Sequence, residues 1–160
     1  MTTAEKPFVK ARRKLVDARI QFLSQLAKFS KEELIQCAAG EDWTPIQIAH
    51  HIYIADGLIL DGLQRIQQED NPLIDLAEEA PRQTEAAEPP ASLDAVMAGM
   101  AARREAIFEF LSQLPDEAWE RPWQHKSKGQ MKFYQLVNGI PDHEQTHTEQ
   151  LKKIKAAMQS

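Results

Sequence analysis

Apolar residues along this chain recur at the three-to-four-residue spacing of a helix face, not at the strict alternation of a half-buried strand. A first stripe of Ala11, Leu15, Ala18, Phe22, Leu26 and Phe29 predicts a helix over about residues 5–28. Ser30 reads as the cap of a short helical piece, KEELIQC. The second long helix has a sharp start at Trp43-Thr44-Pro45-Ile46-Gln47. Thr44 can cap, Pro45 suits the first helical position, and Gln47 completes a capping box. Its stripe runs Ile48, Ile52, Ala55, Ile59, Leu63 and Ile66. Residues 70–91 hold four prolines and no stripe, which predicts a long surface connection with room for one helical turn. Ser92 caps the third helix, marked by Leu93, Val96, Met97, Met100, Ile107, Leu111 and Leu114, and Pro115 stops it. Residues 116–131 read as irregular. A fourth helix then spans about residues 132–158, with Leu136, Ile140, Leu151, Ile154 and Met158 in register. Pro141 falls inside that pattern and must kink the helix or mark its true start.

Four long amphipathic helices with few strand signals predict an all-α four-helix bundle, with a long crossover between helices 2 and 3. At 160 residues the whole chain, 1–160, reads as one domain able to bury a core. A net charge of -5 argues against a nucleic-acid-binding surface, which needs a basic face. No apolar run approaches the roughly 18 residues of a membrane span, and MTTAEKPFVKARRK offers no signal-peptide core. The single cysteine, Cys37, rules out an internal disulfide, and nothing near it in sequence would activate it as a nucleophile. A cytoplasmic protein is the expectation.

Candidate chemistry changes this picture near the end of the chain. His143-Glu144-Gln145-Thr146-His147 is a literal match to H-E-x-x-H, in which histidines one turn apart hold a metal. On a helical wheel with His143 at zero, His147 lies roughly 40° around, and Leu136, Ile140, Leu151 and Ile154 fall within roughly 20° to 80°. Both histidines are therefore expected in the middle of the buried stripe. In the second helix His51 lies about 60° from Ile48, bordering the core, whereas His50 lies about 160° away and points towards solvent or the next helix. Buried imidazoles need partners that a dry core cannot offer to three of them, and a divalent metal satisfies all three together. His51, His143 and His147 are the predicted metal ligands, with zinc or nickel ahead of iron or manganese.

The zinc-protease reading fails on its third ligand. In the extended protease motif a glycine and a histidine would fall at Gln150 and Lys153, and only 13 residues follow His147. The i, i+4 metal geometry survives without the protease chemistry.

These residues resemble the DinB-like (DinB/YfiT-like) metalloenzyme superfamily. Its second helix resembles W-S-x-x-E-x-x-x-H-x-x-x-x-E, which aligns here with Trp43, Thr44, His51 and Asp56 and is matched outright at Trp43 and His51. Its fourth helix resembles H-x-x-x-H-x-x-Q-[IL], matched by His143, His147, Gln150 and Leu151. Gln47 and Asp56 stand where the pattern has glutamate. The resemblance spans the whole chain in helix order and implies a bundle whose three histidines hold a divalent metal with an open coordination position. It further implies chemistry on a small-molecule substrate, including low-molecular-weight thiols, and a homodimer.

Several residues keep two readings. Glu144, at the stripe's edge, is a base, an orienting group for His51, or a solvated helix glutamate. Gln150 lies beside the two histidines and is either a partner that orients one of them or a packing residue. Arg104 lies about 20° from Leu93 on the wheel, within an apolar stripe, and either joins a structural ion pair or anchors an anionic substrate. Trp43, Trp119 and Trp123 read as helix-end packing, His125 as exposed, and Asp56 as a local capping or orienting group. Two function classes follow. One is a metal-dependent thiol S-transferase or hydrolase; the other is a non-catalytic metal-binding or stress-response protein.

Overall fold

The computed structural model describes residues 5–88, 90 and 92–159. Four long helices form the bundle: α1 (Pro7–Leu26), α3 (Pro45–Gln68), α5 (Leu93–Ser112) and α6 (Phe133–Gln159). The single-turn helix α2 (Lys31–Leu34) follows α1, and α4 (Glu79–Ala86) lies in the crossover between α3 and α5. The capping chemistry read from the sequence is in place. Thr44 accepts from the Gln47 backbone N–H while the Gln47 side chain accepts from the Thr44 N–H, and Ser30 and Glu33 do the same for α2. Ser92 accepts from the Ala95 N–H.

α6 runs unbroken through Pro141, so the proline marks no start. Lacking an N–H, it leaves the Val137 carbonyl without its usual helical donor. The core forms two clusters stacked along the bundle. One is built on Leu15, Ile59, Leu63, Ile107 and Phe133, the other on Phe22, Leu26, Ile48, Met100 and Leu151.

Two segments differ from expectation. Residues 116–131 are ordered: a 3-10 turn, Asp116–Glu120, leads into a hairpin of β2 (Pro122–His125) and β3 (Gly129–Lys132). β1 (Leu73–Ile74), from the crossover, pairs parallel to β2 and completes a three-stranded sheet. The crossover also carries the eight-residue α4 in place of one loose turn. No Asn-Gly or Asp-Gly announces the hairpin; its turn is Lys126-Ser127-Lys128 before Gly129, whose φ of 78° suits glycine. The His125 side chain substitutes for an Asx residue, its Nδ1 accepting the backbone N–H groups of Ser127 and Lys128, each at 3.1 Å.

Candidate metal centre

α3 carries His51 and α6 carries His143 and His147, and the bundle brings the three together. The His143 Nε2 lies 3.1 Å from the Nε2 of His147 and 3.3 Å from that of His51. Each ring's outer nitrogen decides what Nε2 can do. Thr84 Oγ1, on α4, donates its proton to the Ala80 carbonyl at 2.7 Å, so it accepts from His51 Nδ1–H at 3.1 Å. Gln150 Nε2 donates to the Glu41 carboxylate at 2.8 Å, which leaves its Oε1 to accept from His147 Nδ1–H at 2.8 Å. With their protons held at Nδ1, both rings turn an Nε2 lone pair inward.

Inward lone pairs at this separation need a cation or a shared proton between them. A proton on His143 Nε2 satisfies the metal-free protein. A divalent ion also fits the donor set: four-coordinate metal–imidazole bonds of about 2.0–2.1 Å imply nitrogens about 3.3 Å apart. The three-histidine group is therefore suited to a metal ion.

Thr84 lies in the stretch that reads from sequence as a featureless crossover. Its role rests on a contact across 33 residues that no local pattern encodes. Thr84→Val is expected to weaken metal affinity roughly 10- to 100-fold by releasing the His51 ring, whereas Thr84→Ser retains it. Competition against a chromogenic chelator measures this, and parent-like affinity in the valine variant would remove Thr84 from the site.

Burial sets the charge state. His51 is pushed down to about 3, first by burial and then by the other two imidazoles. His143 is pushed down to about 4 by burial and His147, against an upward pull from Glu144. His147 is lowered by burial as well, opposed by Gln150 and Glu144. All three folded values lie below the usual value near 6.5, so below that pH the unfolded chain binds more protons than the folded one. The corresponding stability is whole above about pH 6.5 and is lost as pH falls toward the folded values. The urea midpoint of chelator-stripped protein is expected to drop between about pH 7 and pH 5. A midpoint that rose toward acid would contradict neutral burial of these rings.

Behind the histidines lies a charge network. Glu144 accepts from Arg19 Nε and from Arg104 Nη2, both at 2.6 Å. Asp56 accepts from Arg19 at 3.0 Å and from Arg104 at 3.2 and 3.3 Å. Glu144 is 1% exposed, Asp56 2% and Arg104 4%. Burial works against the Arg104 charge, but Asp56 and Glu144 outweigh it and hold the guanidinium above its ordinary value.

Glu144 is thus neither a solvated glutamate nor a free base, and it does not orient His51, whose ring is held by Thr84. The buried stripe of α6 runs Val137, Ile140, Glu144, Thr148 and Leu151. On the earlier wheel its centre lies near 90°, close to Glu144, and the histidines sit on its flank. Counting only apolar residues hid this, because Glu144 and Thr148 occupy core positions. Arg104 is committed to the network, and Asp56, given only a local role from sequence, joins it. Arg19 joins it too, and its place four residues after Leu15 and three before Phe22 is the sequence signal for that position.

The histidines open on a cavity of about 500 Å³. Trp43 packs against His51 with ring centroids 5.0 Å apart and lines this space. Trp123 and Met131, cross-strand partners in the hairpin, line it as well, as do Leu58, Leu76 and Leu136. Trp43 and Trp123 therefore shape a binding space in addition to packing, while Trp119 lies outside this cavity and packs edge-on against Phe133. His125, expected to be exposed, is half-buried at the cavity wall. His50 stays apart from the centre, stacked on Tyr53 at 5.8 Å.

Solved structures share this architecture. YfiT from Bacillus subtilis is described as a probable metal-dependent hydrolase with an unusual four-helix bundle topology. It superposes with a TM-score of 0.80 at 15% identity, over 99% of this chain and 91% of that one. TT2238, a four-helix bundle protein, matches at 0.65 and 18% identity, over 91% and 98%. The mycothiol-dependent maleylpyruvate isomerase matches at 0.67 and 16% identity, over 94% of this chain and 63% of that one. At such identities the likeness is one of fold. No curated protein matches the sequence. The sequence model of the DinB superfamily matches residues 14–151, nearly the full bundle with all three histidines, and the chain belongs to that superfamily.

Proposed function

We propose that the protein is a metal-dependent enzyme acting on a small molecule, of the thiol S-transferase or hydrolase type, with His51, His143 and His147 as metal ligands. One observation carries the reading: three neutral imidazoles present Nε2 to one point, on the wall of a cavity large enough for a substrate. A divalent ion held by three neutral ligands keeps its full charge and supplies Lewis acidity, lowering the pKa of a nucleophile brought to it. The chain's own residues do the rest. Thr84 and Gln150 fix the ring tautomers, the Glu144 network anchors α6 between its two histidines, and the apolar walls give a substrate's body a surface to pack on.

The likeness to YfiT, a probable metal-dependent hydrolase, and to a mycothiol-dependent isomerase supports a reading that spans hydrolysis and thiol-dependent chemistry. No described helix is long and apolar enough to cross a membrane. We assign the reaction to the cytoplasm and to a homodimer as part of the same reading. The alternative, a metal-binding protein without catalysis, would be favoured by a closed four-ligand site. Among the described residues the metal-capable group has three members, and it faces a cavity. Elemental analysis of protein purified without added metal or a histidine tag tests the first step, and a hydrolase and thiol-transfer screen tests the second. Absence of bound metal, with none taken up on reconstitution, would overturn the proposal.

A further inference from the structure

The cavity's charge is unlike that of the chain around it. The sequence carries 24 acidic residues against 19 lysines and arginines, yet among the described residues no aspartate or glutamate lines this space. Its titratable lining consists of the three histidines of the candidate centre, His125 and Lys128, and the remainder is apolar or amide. The hairpin that supplies the last two is built to present them. Strand alternation puts Trp123 and His125 on one face of β2, and their cross-strand partners Met131 and Gly129 extend that face.

Two backbone N–H groups occupy the His125 Nδ1, so the neutral ring carries its proton on Nε2 and offers that N–H as a donor. Neighbouring lysines are engaged: Lys126 pairs with Glu78 at 3.1 Å and Asp75 at 3.8 Å, and Lys132 with Glu120 at 2.8 Å. Lys128 has no ion pair with any described residue. A cation without a partner and a fixed donor thus share the wall of an apolar chamber whose acidic groups have been kept outside.

We infer that the cavity takes a carboxylate-bearing molecule with an apolar, aromatic-sized body, its carboxylate held at the hairpin by Lys128 and the His125 Nε2–H. The body then lies between Trp123, Met131 and Leu136, and the far end of the molecule is directed to the three histidines. This rests on the proposed function in taking that end as the reacting one; the carboxylate preference itself does not depend on a metal.

A matched pair of probes tests it: 4-phenylbutyrate and its neutral isostere 4-phenylbutanamide, titrated by calorimetry into chelator-stripped and metal-loaded protein. In stripped protein the carboxylate is expected to bind roughly five- to tenfold tighter than the amide, since a charged head gains both an ion pair and a charge-assisted hydrogen bond. Lys128→Gln, at an exposed turn, should bring the two affinities to within roughly twofold. His125→Asn keeps an acceptor for the turn N–H groups and removes the Nε2 donor, so it should lower the preference while the far-UV spectrum stays unchanged. Equal binding of amide and carboxylate to stripped protein would overturn the inference. So would a preference that appears only with metal and survives both substitutions, because the ion would then be its source. Failure of the metal-enzyme reading would show separately, as absence of metal uptake with the carboxylate preference intact.

Discussion

His51→Ala and His147→Ala are each expected to purify without the stoichiometric metal carried by the parent protein, and to lose the rise in melting temperature that added metal gives the parent. Each substitution leaves two imidazoles where the geometry provides three, with Nε2 atoms 3.1 or 3.3 Å from the shared neighbour His143. Metal that binds only the folded protein stabilises it by about 2.7 kcal/mol at 100 times Kd and about 4 kcal/mol at 1,000 times Kd. For a domain of this length that corresponds to a rise of roughly 5–15 °C on loading the parent with metal.

The variants should melt at one temperature with or without metal. Each truncation gives up the ring's hydrogen bond to Thr84 or Gln150 and leaves a cavity, so that temperature should lie below that of the stripped parent. His50→Ala is the control: its ring stacks on Tyr53 outside the centre, so metal content and the metal-dependent rise should both persist. Full metal retention in the His51 or His147 variant would sink the ligand assignment, whatever the activity of either protein.

How much of this was readable in the sequence follows from the range of each signal. The bundle helices are local patterns, and their stripes and caps place Thr44, Ser30 and Ser92 where the structure has them. The clustering of His51 with His143 and His147 could be approached because each lies at a fixed angle on its own helix. The hairpin was not visible: Trp123 and Met131 alternate toward the cavity over too few residues to stand out, and its turn is held by a histidine side chain in place of a recognised dipeptide.

Thr84 was invisible for a different reason, since its partner lies on another helix. The charge network was half visible. Arg104 stands out as a cation within an apolar stripe, but nothing local distinguishes a buried, paired Glu144 from a base, an orienting group or a solvated glutamate, and nothing marks Arg19. A wheel drawn from apolar residues alone places the core of α6 where its leucines are, and misses that a paired carboxylate can occupy its centre.

That network carries the second large expected effect. Arg104→Met is expected to destabilise the protein by about 3–5 kcal/mol, the cost of breaking a buried ion pair from one side. Arg19, Asp56, Arg104 and Glu144 come from α1, α3, α5 and α6, two cations against two carboxylates, so the parent cluster is balanced and joins all four bundle helices. Removing Arg104 leaves two buried carboxylates to one guanidinium. Methionine fills much of the arginine stem's volume, which isolates the loss of charge from the creation of a cavity.

Urea titration should show a lower midpoint with an unchanged slope, and a melting temperature lower by roughly 6–20 °C. Glu144 lies between the two α6 histidines, so freeing half of its anchorage should also let that turn shift, and metal affinity should fall although no ligand has been touched. A double substitution, Arg104→Met with Glu144→Gln, restores one cation to one carboxylate and should recover part of the lost stability. Loss of less than about 1 kcal/mol in the single variant, the level of an exposed pair, would show that the four charges do not act as a buried unit.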